Sequence, residues 1–262
     1  MRHTPWKGRI EPFKLFGNLY FVGGIPASTH IIDTSEGLIM LDSGYQESLY
    51  LVLENMRKVG LNPSDIKYVI HTHGHIDHCG ASMALKQLYG CKLFIGERDK
   101  DYANGTLDLS YAAELDMTYI PFEPDVLLND GDVITLGNTS IRAVATPGHT
   151  PGTMSYFFDA TDGEKVYRVG LHGGMGVNTL SKEFLDKYNL PYSYRDEFVS
   201  SMKRLMEEEV DIFLGNHAEH NDTKGKAERV GNGEADAFVN PSEWKPYVKW
   251  CIDNLQYMID RE

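Results

Sequence analysis

His71-Thr72-His73-Gly74-His75-Ile76-Asp77-His78 packs four histidines and one aspartate into eight residues. With 10 histidines in 262 residues, chance puts about 0.3 of one in such a window. Neutral imidazole nitrogen and carboxylate oxygen are good ligands for zinc and neighbouring divalent metals. His73 and His75 stand two apart, so on an extended loop both rings point the same way and one metal can take the pair. Asp77 and His78 are adjacent and diverge, which leaves one of them for a second metal. Tyr68-Val69-Ile70 reads as a short buried strand entering the loop, and Ala81 to Tyr89 as a helix stopped by Gly90. That strand–helix setting argues against an accidental histidine run or a tag remnant.

One loop cannot fill two metal sites, so the remaining ligands must come from other strand ends. His149 lies in Thr146-Pro147-Gly148-His149-Thr150-Pro151-Gly152, directly after the apolar run Ile141 to Ala145. His217 follows Ile212-Phe213-Leu214 in Gly215-Asn216-His217. An isolated histidine is more often a surface or core residue, so spacing alone leaves both open. His71 reads as part of the strand, behind the ligands. Cys79 reads as a small buried residue at a helix start rather than a soft ligand. His220 is a candidate for lining the pocket.

The rest of the chain alternates strand pairs with helices. Phe13 to Phe16 and Leu19 to Val22 flank the turn pair Gly17-Asn18, and Thr29 to Ile32 and Leu38 to Leu41 form a second hairpin. Leu49, Val52, Leu53 and Met56 fall at helical spacing, and Leu93 to Ile95 is a further strand. The second half repeats this: Val133 to Leu136 with Ile141 to Ala145, then Met154 to Phe158 with Lys165 to Val169. Helices follow around Val199 to Met206 and after Pro241-Ser242-Glu243. Strand runs with helices after them, twice over, suggest an α+β chain of two sheets packed face to face with helices outside. Gly96 to Pro124 has poor periodicity; it is either a partly helical excursion near a site or a surface loop packed by its own aromatics. No linker breaks the chain, so residues 1–262 are expected to form one domain.

Composition narrows the function. Hydrophobic residues make up 42% and charged residues 24%, an ordinary globular balance. A formal charge of −13 and the lack of a Lys/Arg block argue against a nucleic-acid partner. Three widely spaced cysteines, Cys79, Cys91 and Cys251, write neither a disulfide framework nor a paired-cysteine zinc site. No apolar run is long enough to span a bilayer, and the N-terminus lacks the apolar core of a secretory signal. A soluble, cytoplasmic protein with a small-molecule substrate is expected; removal of a signal peptide would make it periplasmic or secreted. Oligomeric state is not written in the sequence.

The pattern His-x-His-x-Asp-His, a later His in Thr-Pro-Gly-His-Thr-Pro-Gly and a last His after a strand resembles the metallo-β-lactamase superfamily, and within it subclass B3. Similar stretches are Pro12-Phe13, Gly17 to Gly23, Leu41-Asp42-Ser43-Gly44, Tyr167-Arg168-Val169 and Phe213 to His217, so the resemblance runs from about Trp6 to Leu255. It implies an αββα sandwich with the site at the edge of the two sheets. It implies that His73, His75 and His149 hold one zinc and that Asp77, His78 and His217 hold the other. Asp42 resembles the carboxylate that orients a ligating His in this family; a turn Asp capping the following helix fits the sequence equally. Many relatives place an Asp, Cys or Ser after the Tyr167 to Val169 strand. This chain has Gly170-Leu171-His172-Gly173-Gly174-Met175-Gly176, with no carboxylate. That weakens a glyoxalase II or lactonase reading and spares the B3-like one. Gly174 stands where several B3 enzymes carry a Ser, and His172 reads as a solvent-facing loop residue rather than an extra ligand.

The resemblance implies a zinc-dependent hydrolase opening a β-lactam amide, a chemistry tied to antibiotic resistance. Two metals would share a hydroxide generated near neutral pH, since zinc lowers the pKa of bound water from 15.7 to roughly 7. Asp77 is the catalytic candidate, orienting the nucleophile while binding metal. The alternatives are a hydrolase of another small ester, lactone or thioester on the same centre and, in a different class, an iron-dependent redox protein of the same fold. A scaffold with a closed metal site is a fourth.

Overall fold

The fold follows from where the strands start and stop. The computed structural model describes residues 3–262. Its strands are β1 (Phe13–Phe16), β2 (Leu19–Phe21), β3 (His30–Thr34), β4 (Gly37–Leu41), β5 (Ile66–Ile70), β6 (Lys92–Gly96), β7 (Val126–Leu128), β8 (Val133–Leu136), β9 (Thr139–Ala145), β10 (Met154–Thr161), β11 (Val166–Leu171) and β12 (Ile212–Leu214). The helices are α1 (Leu49–Lys58), α2 (Ile76–Cys79), α3 (Ser82–Tyr89), α4 (Lys100–Ala103), α5 (Lys182–Lys187), α6 (Ser193–Leu205), α7 (Thr223–Gly231) and α8 (Trp244–Ile259).

Sheet membership splits along the chain. β1 to β7 form one sheet in sequence order, antiparallel from β1 to β4 and parallel from β4 to β7. The second sheet runs β12-β11-β10-β9-β8, with only β11 and β12 parallel. Strands alternate their faces, so each sheet presents one apolar face inward. Leu15, Ile32, Ile39 and Ile70 of the first sheet meet Ile141, Tyr156, Phe158 and Val169 of the second in one buried cluster. Helices cover the outer faces. Val52, Met56 and Leu85 pack on Ile31, Met40 and Val69, while Phe198, Met202, Trp244 and Val248 pack on Val144, Phe157 and Phe213. α8 buries Trp244, Val248, Cys251 and Leu255, a single stripe of four- and three-residue steps. The Trp244 indole donates to the Leu205 carbonyl at 2.8 Å, which satisfies its one polar group. The expected sandwich of two mixed sheets between helices is the fold found.

Strand direction explains where a site can form. β9 and β11 are both antiparallel to β10 and therefore parallel to each other, and β12 is parallel to β11. The C-terminal ends of all three open on one edge. β4 and β5, parallel in the other sheet, end on that edge too. The Met154 N–H donates to the Thr72 carbonyl at 2.8 Å and the Tyr156 hydroxyl to the His71 carbonyl at 2.6 Å, pinning the sheets together there.

Several elements depart from the sequence expectation. β7 is three residues at a sheet edge, too short for alternation to register. α7 buries only Thr223 and Lys226 and includes two glycines; it starts because the Asp222 carboxylate accepts from the Gly225 N–H at 3.2 Å. The 96–124 segment is partly helical, through α4, and buries Tyr102, Leu109, Ala112 and Phe122. No helix among the described residues is long and apolar enough to cross a membrane.

Candidate metal centre

β5 delivers the histidine loop to the shared edge. His75 occupies the N-cap position of α2, and its carbonyl accepts from the N–H groups of His78 and Cys79, both at 2.9 Å. Asp77 and His78 therefore leave adjacent positions of a helical turn. Their side-chain tips nevertheless converge: Asp77 Oδ2 lies 3.3 Å from His78 Nε2. The divergence expected from adjacency holds at the backbone and is cancelled by the longer histidine side chain.

β12 brings His217 to the same place. Its Nε2 lies 3.3 Å from His78 Nε2 and 3.5 Å from Asp77 Oδ2. Ligands at about 2.0–2.1 Å around a tetrahedral zinc stand about 3.3 Å apart, so this triangle has the edge length a small divalent cation needs. β9 brings His149. The rings of His73, His75 and His149 form a second triangle, with centroids 4.6, 4.7 and 4.6 Å apart and planes within 10° of perpendicular (84°, 81° and 85°). Their ligand atoms lie within 4.8 Å of one another, and His73 makes a similar group with Asp77 and His78. The two triads thus share a boundary at His73, whose Nε2 is buried without a hydrogen-bond partner. A buried orphan acceptor is costly, and a cation between the rings answers it.

The opposite ring nitrogens are tied down. His78 Nδ1 meets Asp42 Oδ2 at 2.7 Å, His217 Nδ1 the Pro26 carbonyl at 2.7 Å, and His149 Nδ1 the Gly176 carbonyl at 2.6 Å. Each such N–H donation fixes the tautomer and leaves Nε2 as a lone pair. Asp42 also accepts from the Thr72 N–H at 2.7 Å and the Thr72 hydroxyl at 2.8 Å. The Asp42 carboxylate accordingly fixes the His78 ring and the Thr72 backbone rather than the start of the following helix.

Burial and mutual repulsion hold His73 and His75 well below the ordinary imidazole value, and burial pushes His149 down to about 4. These rings are neutral, the state a metal requires. Burial also disfavours charge on His78, but Asp77 and Asp42 together outweigh it and push His78 up to about 10. Asp77 is held far below the usual carboxylate range, because His78 and His217 overcome its burial. In the metal-free protein a proton on His78 stands in for positive charge at the second triad.

The remaining candidates stand outside the two triads. His71 bridges the Phe94 carbonyl at 2.7 Å and the Ser82 hydroxyl at 2.6 Å. Cys79 is buried against the Tyr119 hydroxyl at 3.5 Å. His172 is fully buried, with Nε2 3.2 Å from Met202 Sδ and its ring near Trp244, so the expected solvent-facing loop residue is a core residue. The loop after β11 turns inward to reach Gly176, and His172 goes with it. His220 lines the cleft, 5.0 Å from the His217 ring.

Sequence reasoning missed Asp99. It follows β6 on the same edge and is fully buried. Its carboxylate accepts from the Gly74 N–H at 2.8 Å, the Thr150 hydroxyl at 2.6 Å and the Gly152 N–H at 2.6 Å. One side chain therefore staples the His73–His75 turn to the His149 loop. Gly152 is required for this approach: a Cβ there would stand 2.3 Å from the Asp99 nitrogen. The signal available was position, an acidic residue just past a buried strand.

Gly174 also has a geometric reason. A Cβ on it would lie 2.1 Å from His149 Cδ2 and 2.5 Å from Cγ, so this loop path admits no side chain. Gly174→Ser is expected to tilt His149 off the Gly176 carbonyl and to lower the metal bound per chain. Elemental analysis after dialysis tests this; wild-type metal content in a folded variant would show that the loop yields instead.

The profile of the Metallo-beta-lactamase superfamily matches residues 22–162, which span His73 to His149. The chain belongs to this superfamily. It is a metal-dependent hydrolase with a histidine-rich metal-binding site. A subclass B3 metallo-β-lactamase of Bradyrhizobium japonicum superposes with a TM-score of 0.90 at 27% identity, covering 100% of this chain and 98% of that one. The native FEZ-1 metallo-β-lactamase from Legionella gormanii gives 0.89 at 28% identity, with 97% of each chain covered. By sequence, an uncharacterised protein of Aquifex aeolicus is 28% identical over 84% of this chain and 96% of its own length. A hydroxyacylglutathione hydrolase of Bradyrhizobium sp. is 34% identical over 40% of this chain and 34% of its own.

Proposed function

We propose that this metallo-β-lactamase superfamily member is a two-zinc hydrolase of the subclass B3 kind that opens strained cyclic amides of the β-lactam type. The observation that carries this reading is the Asp77–His78–His217 triangle, with edges of 3.3 to 3.5 Å, set beside the His73–His75–His149 group. Neither set includes a cysteine. The loop after β11 supplies the Gly176 carbonyl to His149 and carries no carboxylate, which separates it from the glyoxalase II and lactonase pattern.

His73, His75 and His149 would hold one ion, and Asp77, His78 and His217 the other. Zinc bound there supplies a water acidic enough to ionise near neutral pH and polarises the scissile carbonyl. The protein's own part is orientation. Asp77, ionised and only partly exposed, accepts a hydrogen bond from the attacking water and aims it at the carbonyl carbon. Asp42 and the Pro26 and Gly176 carbonyls hold three imidazoles in the ligating tautomer. Tyr45, Tyr111, Leu115 and Met175 wall a cleft of about 290 Å³ around these groups and displace bulk water from the reacting bond.

The runner-up is a thioester or lactone hydrolase using the same side chains; the hydroxyacylglutathione hydrolase relatives support it. A panel of β-lactams, lactones and thioesters on zinc-loaded protein separates the two. Ring opening followed by absorbance, with two zinc ions per chain, is the expected result. Chelator dialysis is expected to abolish turnover and zinc to restore it. Turnover of lactones or thioesters alone would sink the β-lactam assignment, and one ion at saturation would sink the paired centre.

Acid should act like the chelator. A buried neutral histidine lowers the proton affinity of the folded state, so its stabilising contribution is complete above the unfolded value near 6.5 and is lost as pH falls through the folded value. For His149 that window ends at about 4. Metal content of the loaded protein, and melting temperature of the metal-free protein, are each expected to fall between pH 7 and 4.

A further inference from the structure

We infer that Glu219 tunes the cleft by charge, favouring amine-bearing substrates and disfavouring carboxylate-bearing ones. The inference rests on the metal-centre reading above and adds the substrate class. The wall beyond the ligands includes Tyr45, Tyr111, Leu115, Met175, Glu219 and His220. Among the described residues lining it there is no Lys and no Arg.

A site that selects a carboxylate ordinarily presents a guanidinium or ammonium to it. Among the described residues of the wall, the only charged side chain apart from Asp77 is the exposed carboxylate of Glu219. It stands two residues past His217 and acts electrostatically on both His217 and Tyr247. The chain's charge of −13 adds a repulsive background for anions approaching the edge. A substituent near Glu219 therefore meets its carboxylate with no Lys or Arg of the cleft wall beside it, while metal ions held by the two triads would attract any anion from deeper in the cleft. The Glu219 contribution is attractive for an ammonium, absent for a neutral group and repulsive for a carboxylate.

The test uses small thiols that bind through sulfur and differ only in tail charge: 2-aminoethanethiol, 2-mercaptoethanol and mercaptoacetate. Calorimetric Kd values are taken on the zinc-loaded full chain. Coulomb interaction across a wet cleft is worth about threefold in affinity per unit charge. Glu219→Gln is accordingly expected to shrink the mercaptoacetate-to-aminoethanethiol Kd ratio by about tenfold, and Glu219→Lys to shrink it further. Comparing ratios between variants cancels the different intrinsic sulfur affinities. High salt is expected to compress the wild-type ratio in the same direction. A ratio unchanged in both variants, at equal metal content, overturns the inference while leaving the hydrolase reading intact. A ratio that moves as expected in a protein that opens no β-lactam supports the inference and sinks the β-lactam assignment alone. Absence of bound zinc in all three proteins overturns both.

Discussion

Asp77→Ala is expected to lower turnover of a chromogenic β-lactam by about 10³-fold, the scale of removing a group that positions and activates the nucleophile. It should also weaken the second metal, since Asp77 Oδ2 is one corner of the triangle with His78 and His217. The side chain is 16% exposed and lies in a single helical turn, so the fold should survive its loss. Asp77→Asn separates the two roles. The amide keeps the volume and one oxygen but lacks the charge, so metal loss should be smaller than for alanine while the rate loss stays large. Turnover and metal content are measured on the same preparations. Near-normal turnover with full metal in Asp77→Ala would remove Asp77 from the mechanism.

How far the sequence reached depended on whether a contact is local. The histidine loop was legible because its ligands are neighbours in the chain, and the strand and helix flanking it show clear periodicity. His149 and His217 were legible as strand-end histidines, but only the antiparallel pairing of β10 with both β9 and β11 puts them on the edge reached by β5. That pairing is long-range and leaves no local mark. The orienting groups were harder still. Pro26 and Gly176 act through backbone carbonyls, which no side-chain pattern records. Asp99 sits in a stretch without periodicity and joins residues 25 and 53 positions away. His172 was misplaced because glycines on either side usually mark an exposed loop, whereas this loop is drawn inward against Met202 and Trp244.

Asp42 is where fold and site depend on the same atoms, and its removal is the second large effect expected. Asp42 is 1% exposed and accepts from the Thr72 N–H, the Thr72 hydroxyl and His78 Nδ1. Thr72 Oγ1 in turn lies 3.0 Å from His73 Nδ1, so one carboxylate reaches a ligand of each triad. Asp42→Ala strands three buried donors, one of them the charged His78, a loss of about 3–5 kcal/mol in stability for the metal-free protein. His78 gives that loss a pH signature. Its folded value, about 10, is above the unfolded one, so its stabilising contribution is complete below about 6.5 and disappears as pH rises through about 10. Denaturant melts of metal-free wild type are therefore expected to weaken between those values, and Asp42→Ala to flatten the slope. In the loaded protein, where a cation takes over the charge at His78, the cost should appear as a 10–100-fold loss of metal affinity, read by competition with a chelator. Asp42→Asn keeps acceptance at one oxygen but turns a donor toward Thr72 or His78, so it should fall between wild type and alanine on both measures. A variant with wild-type metal affinity and an unchanged pH slope would mean that His78 holds its tautomer without the carboxylate, and that the Asp42–Thr72–His73 chain serves the β4–β5 junction alone.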